Sequence, residues 1–417
     1  MRVLIVNTSE KTGGAAVAAN RLVNALNNNG VKAKMLVRKK ETDSLTVVGL
    51  PQSLRLSWNF LWERWCIFWH LHFSRKHLFE IDIANIGTDI TSLPEFQEAD
   101  VIHLHWINQG MLSLKGIQKI LDSGKPVVWT MHDMWELTGI CHHSYGCDRY
   151  QDACHHCPFL QIRGSNDLSH KVYNKKAKLY ADFDIRFVAV SKWLADKASK
   201  SALTSNKPVV IIPNSISLSQ FVMINRIDAR RSLSYNEKYI VIFGAARIDD
   251  DIKGLHFLLD ALRLLVEQKR YDRHNLRLLL FGGVRDESVL KTIPVPFTYW
   301  GYINDCLQLS QLYSAANIVV SSSLYETFGQ TLIEAQLCGC VPVAFGNSGQ
   351  ADIIDHQVNG YLADYLSVDS LADGIDWAFH ANLQQRDLKT SVVKKYSESV
   401  VASKYIQLYQ ELTQNKL

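Results

Sequence analysis

The sequence predicts an α/β protein with two domains, each built around a parallel β-sheet covered by helices. Short β-branched and Leu-rich runs alternate with amphipathic stretches along the chain, which is the pattern of repeated βαβ units. Glycine turns follow several of these runs, as expected where a parallel strand gives way to a helix. Because 417 residues exceed what one hydrophobic core usually holds, we expect two domains.

The composition is ordinary for a soluble globular protein, with 47% hydrophobic and 21% charged residues. The net charge of +4 permits attraction to anionic lipid or to nucleotide diphosphates, but it is too small to indicate a nucleic-acid partner. The apolar run Val3–Val6 is too short for the core of a signal peptide. We therefore expect a cytoplasmic protein whose eight cysteines are reduced or bound to metal.

The first domain is predicted to cover residues 1–214. A strand over 3–7 leads through a turn to Gly13 and Gly14, and an Ala-rich helix follows. Paired glycines after a strand let the backbone approach a ligand closely, although they also occur where only the turn geometry requires them. Both interpretations stay open at this point.

Tryptophans recur along one helical face in the segment 54–79. They stand at positions 58, 62, 65 and 69, with spacings of four, three and four residues. Arg75 and Lys76 add positive charge at the end of the stripe. An aromatic stripe is usually core packing, but tryptophans beside a basic cluster also suit a helix in a membrane interface. The second interpretation predicts peripheral contact with the inner face of the cytoplasmic membrane.

Two later strands of the first domain carry histidines. The run VIHLHW contains His103 and His105, which we expect either to pack in the core or to lie on the side of the site that faces a second substrate. The next strand delivers His132 and Asp133 to the carboxyl edge of the sheet. There His132 could hydrogen-bond a ligand or stabilise developing charge.

A cysteine array follows within residues 141–157. Its members are Cys141, Cys147, Cys154 and Cys157, in a C-x5-C-x6-C-x2-C pattern. Four thiolates this close in sequence suit a tetrahedral zinc ion, and a closed four-cysteine site would be structural and not catalytic. The alternatives are free thiols, or a neighbouring histidine in place of one cysteine.

The second half of the chain is predicted as a linker over 215–237, a second α/β domain over 238–390 and a C-terminal helix over 391–417. The turn after the domain's first strand carries Arg247 and Lys253. Two cations at the carboxyl edge of a sheet could neutralise a diphosphate.

The segment from 317 to 345 packs a strand, a turn, a helix and a second strand into one α/β unit. It places Glu326 in the turn and Glu334 in the helix, at the edge where open α/β folds bind ligands. The helix N-terminus offers backbone amides from Phe328, Gly329, Gln330 and Thr331. Free amides at a helix start bind phosphate, and carboxylates accept bonds from sugar hydroxyls. An ordinary βαβ unit with surface glutamates is the alternative.

Together with FGQTLIEAQLCGCVPV, the set Arg247, Lys253, Glu326 and Glu334 resembles the donor half of the retaining glycosyltransferases of family four, which have the GT-B fold. The stretches TSEKTGGAA and VVWTMHD resemble the N-terminal half of that family. The stretch from WTMHDMWELTG to CHHCPFL is similar to colanic-acid-type exopolysaccharide and capsule transferases. The resemblance implies two Rossmann-like domains that face each other across a cleft, with the C-terminal helix packing back toward the N-terminal domain.

The resemblance also implies an activity, the transfer of a hexosyl or deoxyhexosyl group from a UDP- or GDP-linked sugar. The acceptor would be lipid-linked or an oligosaccharide of a bacterial surface polysaccharide, and no catalytic metal is expected. The implied roles are the ribose for Glu334, the transferred sugar for Glu326 and His132, and the diphosphate for Arg247, Lys253, Gly13, Gly14 and the amides of 328–331. Other hypotheses are a sugar-nucleotide epimerase on the same fold and a degenerate scaffold subunit.

Overall fold

The computed structural model describes residues 1–414. The chain divides into two compact units, one formed by Met1–Ser215 with the chain from Val401 onward, the other by Ile216–Val400. The last three residues of the helix predicted over 391–417 lie outside the described residues.

The first unit contains strands β1 (Arg2–Val6), β2 (Lys32–Val37), β3 (Val47–Gly49), β4 (Val101–Leu104), β5 (Val127–Met131), β6 (Ile185–Ala189) and β7 (Val209–Ile211). Its helices are α1 (Gly14–Asn28), α2 (Leu54–His70), α3 (Pro94–Glu98), α4 (Leu114–Asp122), α5 (Leu168–Asp182) and α6 (Lys192–Lys200). The strands form one parallel sheet in the order β3-β2-β1-β4-β5-β6-β7. The strand order reverses between β1 and β4, which is where doubly wound sheets bind ligands.

The second unit contains strands β8 (Tyr239–Arg247), β9 (Leu276–Gly283), β10 (Phe297–Tyr299), β11 (Ile318–Ser321), β12 (Val341–Phe345) and β13 (Tyr361–Ala363). Its helices are α7 (Arg226–Ser232), α8 (Leu255–Glu267), α9 (Cys306–Ala315), α10 (Gln330–Leu337), α11 (Val368–His380) and α12 (Gln385–Tyr396). The sheet is again parallel, in the order β10-β9-β8-β11-β12-β13. Its reversal lies between β8 and β11. The predicted fold class, α/β with two doubly wound sheets, is confirmed.

The last helix, α13 (Glu398–Gln414), packs on the first sheet. Tyr405, Leu408 and Tyr409 lie in the same buried cluster as the strand residues Val3 and Ile5. Burying aromatic and aliphatic side chains of this size stabilises a fold by about 1.5–3 kcal/mol each. The prediction that the C-terminal helix packs on the N-terminal domain is therefore confirmed.

The single helix predicted from residue 391 is instead two helices, α12 and α13. Ser397 separates them, with an extended ψ of 153°. The chain leaves the helix there because Tyr396 and Ser397 pair with Ile216, whose amide donates to the Tyr396 carbonyl at 2.9 Å. Residues 216–237, predicted within a linker, belong to the second unit, where the amides of Val222 and Ile224 donate to serine hydroxyls of α9.

Helix α2 turns its polar residues inward and its tryptophans outward. Glu63 and Arg64 are buried, and the Arg64 guanidinium lies 2.8 Å from the Asp82 carboxylate. Burial and the adjacent Asp82 raise the pKa of Glu63 to about 9, so its protonated carboxyl adds no second buried negative charge at neutral pH. The four tryptophans are 40–59% exposed. Core packing of the tryptophan stripe is therefore wrong, because a buried ion pair occupies the inner face.

Candidate active site

The second sheet brings a predicted cation and a predicted acid together across its reversal point. Lys253 lies in the turn after β8, and Glu326 lies in the loop after β11. The Lys253 Nζ atom is 2.9 Å from the Glu326 Oε2 atom. β8 and β11 are neighbouring parallel strands, so their carboxyl ends meet at one edge. The contact fixes both side chains at the position where such sheets hold nucleotides.

This ion pair is mostly shielded from solvent. The side chains of Lys253 and Glu326 are 29% and 22% exposed. Burial lowers the pKa of Lys253, but the attraction and hydrogen bond of Glu326 outweigh it, and the net pKa is raised. Lys253 is therefore a fixed positive charge at neutral pH, as a phosphate-binding group needs to be.

Arg247, the last residue of β8, makes contacts that the sequence did not predict. Its Nη2 atom lies 2.8 Å from Asp250, and its Nε atom lies 3.6 Å from Asp249. The Asp249 carboxylate also accepts the amides of Arg285 and Asp286 at 3.0 Å. The acids orient the guanidinium, whose side chain stays 41% exposed and accessible to a ligand. Asp249 and Asp250 follow Arg247 by two and three residues, and this spacing could have predicted the two contacts.

The start of α10 requires glycine. Gly329 precedes the helix with a φ of 105°, and a Cβ atom there would lie 3.2 Å from the Ile353 Cδ1 atom. Phe328 is buried against Tyr396, with ring centroids 5.7 Å apart. Gln330 and Thr331 then open the helix with partly exposed side chains. The four residues thus form a packed, constrained helix start.

Glu334 lies one turn further along α10 and is 7% exposed. The Tyr313 hydroxyl is 3.5 Å from its Oε2 atom, at the outer limit of a hydrogen bond. Glu334 and Glu326 therefore occupy different environments, one buried in the helix and one in the loop, paired with Lys253.

In the first unit, Gly13 and Gly14 form the start of α1, after β1. Gly13 has a φ of 92°, and a Cβ atom at this position would meet nothing within 4 Å. The turn is therefore open, and its glycine is required by backbone conformation and not by crowding. His132 follows β5 directly and is half-buried, with its Nε2 atom 2.8 Å from the His105 Nδ1 atom.

Asp133 fixes the loop beside His132. Its Oδ2 atom accepts from the Trp106 indole at 2.9 Å and lies 2.8 Å from the His142 Nδ1 atom. Burial raises the pKa of Asp133, but the neighbouring His142 lowers it more, and the result is a pKa of about 2. Asp133 is thus a buried carboxylate that orients the loop. Trp106 precedes Asp133 by 27 residues and His142 follows it by nine, without a helical or strand repeat that links them, so the sequence alone did not connect them.

The cysteine array lies in the first unit, where all four members line one cavity of about 20 Å³. The Gly139 amide donates to the Cys154 sulfur at 3.1 Å, and burial raises the pKa of Cys154 to about 12. Among residues 1–414, no three histidine, cysteine, aspartate or glutamate side chains are grouped so as to hold a metal ion. The geometry gives the zinc site no support beyond the shared cavity, and the site stays a prediction.

Two doubly wound sheets, with cations and a helix start at a reversal point, define an α/β class of protein that usually binds its ligands at this edge of the sheet. Comparison with known families narrows this class. The model described as "Glycosyltransferase Family 4" matches residues 12–220, and the model described as "Glycosyl transferases group 1" matches residues 225–394. The chain therefore belongs to the family 4 glycosyltransferases.

Individual relatives agree with this assignment. The chain is 26% identical to the uncharacterized glycosyltransferase MJ1607 of Methanocaldococcus jannaschii, over 79% of this chain and 89% of that protein. It is 22% identical to the putative colanic acid biosynthesis glycosyl transferase WcaC of Escherichia coli K12, over 75% of this chain and 76% of WcaC.

Solved structures share the architecture. Anabaena Alr3699/HepE, crystallised with UDP and glucose, matches 99% of this chain and 100% of its own, with a TM-score of 0.65 and 16% identity. At this identity the likeness shows the fold alone, which is GT-B. Transferase families matching both halves favour a transferase over the epimerase hypothesis.

Proposed function

We propose that this glycosyltransferase uses a nucleoside diphosphate sugar, with UDP or GDP as the carrier, and that its donor site lies around Lys253 and Glu326. The observation that carries the proposal is their 2.9 Å ion pair across the reversal of the second sheet. The pair supplies a fixed cation and a carboxylate at the same sheet edge as the start of α10. A diphosphate and the sugar attached to it would bind together at this edge.

Each group at this edge has a distinct task. Lys253 and Arg247 bind the diphosphate, and the amides around Gly329 add neutral donors. Glu334, nearly buried in α10, accepts bonds from the ribose hydroxyls, whereas Glu326 accepts one from the transferred sugar. The carboxylates thereby recognise hydroxyl groups while the cations recognise phosphate.

We propose that transfer proceeds with retention. The bond between the sugar's anomeric carbon and the diphosphate oxygen breaks, and the acceptor oxygen bonds to that carbon on the same face. The acceptor's proton passes to the leaving phosphate oxygen. Lys253 and Arg247 stabilise the negative charge that grows on the diphosphate, so no metal ion is needed for the step. For the first unit taken by itself, we propose that the helix start at Gly13 and Gly14 contacts phosphate and that His132 contacts a sugar hydroxyl.

A thermal-shift screen of UDP- and GDP-linked sugars tests the donor site. A ligand that binds only the folded protein raises its melting temperature by mass action. We expect at least one nucleotide sugar to stabilise the wild-type protein and to have a much smaller effect on Lys253→Ala. A matched control is Lys395→Ala, which removes an exposed ion pair with Asp355 in the same unit. Equal shifts in wild type and Lys253→Ala would contradict the assignment.

We further propose that the acceptor is lipid-linked and that α2 holds the enzyme on an anionic membrane. The aromatic surface consists of the exposed large side chains of α2 and the turn after it: Leu54, Trp58, Leu61, Trp62, Trp65, Trp69, Phe73 and Phe79. Trp58 and Trp69 are 57% and 59% exposed. Indole rings at this exposure suit the headgroup region, which accepts an apolar body with a polar edge.

The charges around the aromatic surface match an anionic bilayer. Arg55, Arg75 and Lys76 are exposed, whereas Glu63 is buried and Glu80, whose side chain is 40% exposed, lies 2.9 Å from His77. Each cation near an anionic membrane contributes about 1 kcal/mol of attraction. In residues 1–414 no helix has the length and apolar content to cross a bilayer. The proposal is therefore contact with the interface alone.

Vesicle flotation tests the membrane contact. We expect the wild-type protein to float with vesicles of phosphatidylglycerol and phosphatidylcholine, and a variant with Trp58, Trp65 and Trp69 changed to Ser to bind roughly tenfold more weakly or worse. Leu45→Ser is the control, since Leu45 is 93% exposed and lies outside the aromatic surface. Equal flotation of the wild type and the tryptophan variant would contradict the proposed membrane contact. A stable dimer that buries these side chains would contradict it as well.

The likeness to WcaC supports a role in bacterial surface polysaccharide biosynthesis. An assay that follows sugar transfer to a polyprenyl diphosphate-linked acceptor tests this role. Donor binding without transfer to any lipid-linked acceptor would favour a scaffold subunit, and interconversion of the donor sugar alone would favour an epimerase.

A further inference from the structure

A buried histidine pair adjoins the predicted sugar-contacting residue of the first unit. The His105 Nδ1 atom lies 2.8 Å from the His132 Nε2 atom, and the ring planes are 28° apart. His105 is 1% exposed, whereas His132 is half-buried. The hydrogen bond thus joins a fully enclosed imidazole to one that is partly open to solvent.

A second histidine holds His105 in place. The His103 ring centroid is 4.4 Å from that of His105. Both nitrogens of His103 are engaged, Nε2 with the Thr130 hydroxyl at 2.8 Å and Nδ1 with the Tyr409 hydroxyl at 2.7 Å. Because both of its ring nitrogens are hydrogen-bonded, the His103 ring cannot rotate freely, and it packs against the His105 ring in a fixed orientation.

Both members of the pair are neutral at neutral pH. Burial lowers the pKa of His132 to about 4 and places that of His105 well below its ordinary value. A neutral imidazole has one N–H group and one bare nitrogen. The bond between His105 and His132 therefore contains a single proton, which belongs either to His105 Nδ1 or to His132 Nε2.

The far side of His105 decides between these two arrangements. Its Nε2 atom is buried and has no hydrogen-bond partner within the described part of the chain. If His132 donated, the proton of His105 would sit on Nε2 as a buried N–H without an acceptor, an arrangement that folded proteins rarely contain. An unprotonated Nε2 at the same place carries a smaller free-energy penalty than a buried N–H group without an acceptor. His105 is therefore the donor, through Nδ1–H.

We propose that His105 is a positioning residue that fixes the tautomer and ring orientation of His132. With its Nε2 atom occupied as an acceptor, His132 carries its proton on Nδ1. It meets the ligand as a neutral N–H donor to a sugar hydroxyl or phosphate oxygen, and not as a base. This inference rests on the proposed function in one respect, the assignment of His132 to the donor sugar.

The tautomer can be measured without any substrate. In protein labelled with ¹⁵N at histidine, long-range ¹H–¹⁵N spectra distinguish a protonated ring nitrogen from a bare one, and the His132→Asn variant identifies the His132 signals. We expect a proton on Nδ1 in the wild type and a shift toward Nε2–H in His105→Phe. A wild-type proton on Nε2 would overturn the inference whether or not the enzyme binds nucleotide sugars.

Kinetics separate positioning from mere support. His105→Asn retains an N–H donor near the place of Nδ1, and we expect its kcat within about threefold of wild type; His105→Phe should lose roughly tenfold or more in kcat with little change in KM. Tyr409→Phe is the structural control, because it removes a bond of His103 but leaves the His105–His132 bond intact. The kinetic measurements use the nucleotide sugar that gives the largest thermal shift. Equal losses in His105→Asn and His105→Phe, or in Tyr409→Phe and His105→Phe, would contradict positioning.

Discussion

Replacing Lys253 by Ala should lower turnover by roughly 10²–10³-fold, the usual effect of removing one donor from a developing oxyanion. Two features of the structure place the effect at the upper end of this range. Lys253 is better shielded than Arg247, with 29% against 41% of its side chain exposed. Its loss also removes the cation that lies 2.9 Å from the Glu326 carboxylate, so this negative charge beside the leaving group is less well compensated and repels the diphosphate. We expect kcat to fall more than KM rises, because the charge is largest in the transition state.

The assay measures release of the nucleoside diphosphate under saturating donor. Arg277→Ala is the matched control, since Arg277 forms a 2.6 Å ion pair with Glu237 in the same unit and is 22% exposed. Arg277 lies at the start of β9, at the amino edge of the sheet. The Arg277→Ala enzyme should be less stable than the wild type but should retain the wild-type kcat. A Lys253→Ala enzyme with wild-type kcat, or an equal loss in the Arg277 variant, would refute the reasoning.

Three further predictions concern other parts of the molecule. Burial lowers the pKa of His103 to about 3, so between about pH 6.5 and pH 3 the unfolded chain binds one more proton at this residue than the folded chain does. His103 alone should therefore lower the free energy of unfolding by about 1.4 kcal/mol per pH unit as the pH falls through this range. Urea unfolding of His103→Gln should show a shallower pH dependence than the wild type, and an unchanged slope would contradict the prediction. Gly329→Ala should cost about 1–2 kcal/mol of stability in a thermal melt, because φ is 105° there, and a neutral effect would contradict that strain. If the cysteine array binds zinc, elemental analysis of protein purified without chelators should find about one zinc per chain, lost when Cys154 and Cys157 become Ser; protein free of zinc would end that prediction.

The donor-site segment was predictable because its signals are local. A β-branched run forms β11, Gly329 marks the start of α10, and the next apolar run forms β12, close to the predicted bounds. The contact of Lys253 with Glu326 was not predictable in the same way. It depends on β8 lying beside β11, and β9 and β10 separate them along the chain. Strand order is a property of the crossover connections and not of any single run.

Helix α2 shows which features the local sequence pattern could not predict. The tryptophan spacing predicted the helix, but it did not determine which face is buried. Arg64 can lie inside because Asp82, from another segment, supplies its counter-charge. Glu63 can lie inside because burial and Asp82 raise its pKa to about 9 and keep it uncharged at neutral pH. Likewise, the break at Ser397 depends on pairing with Ile216, far away in sequence. Short elements such as β3, β13 and α3 were missed because three to five residues show too little periodicity.

The central claim is that α10 and the loop before it form the binding site for the nucleotide part of the donor. Calorimetric titration of UDP and GDP into wild-type protein and Glu334→Gln tests it most directly. Glu334 is 7% exposed, and a charged acceptor bonded to ribose hydroxyls contributes about 1.5–3 kcal/mol, so the variant should bind the preferred nucleotide roughly tenfold or more weakly. Equal affinity in a Glu334→Gln protein that melts like the wild type would place the nucleotide elsewhere.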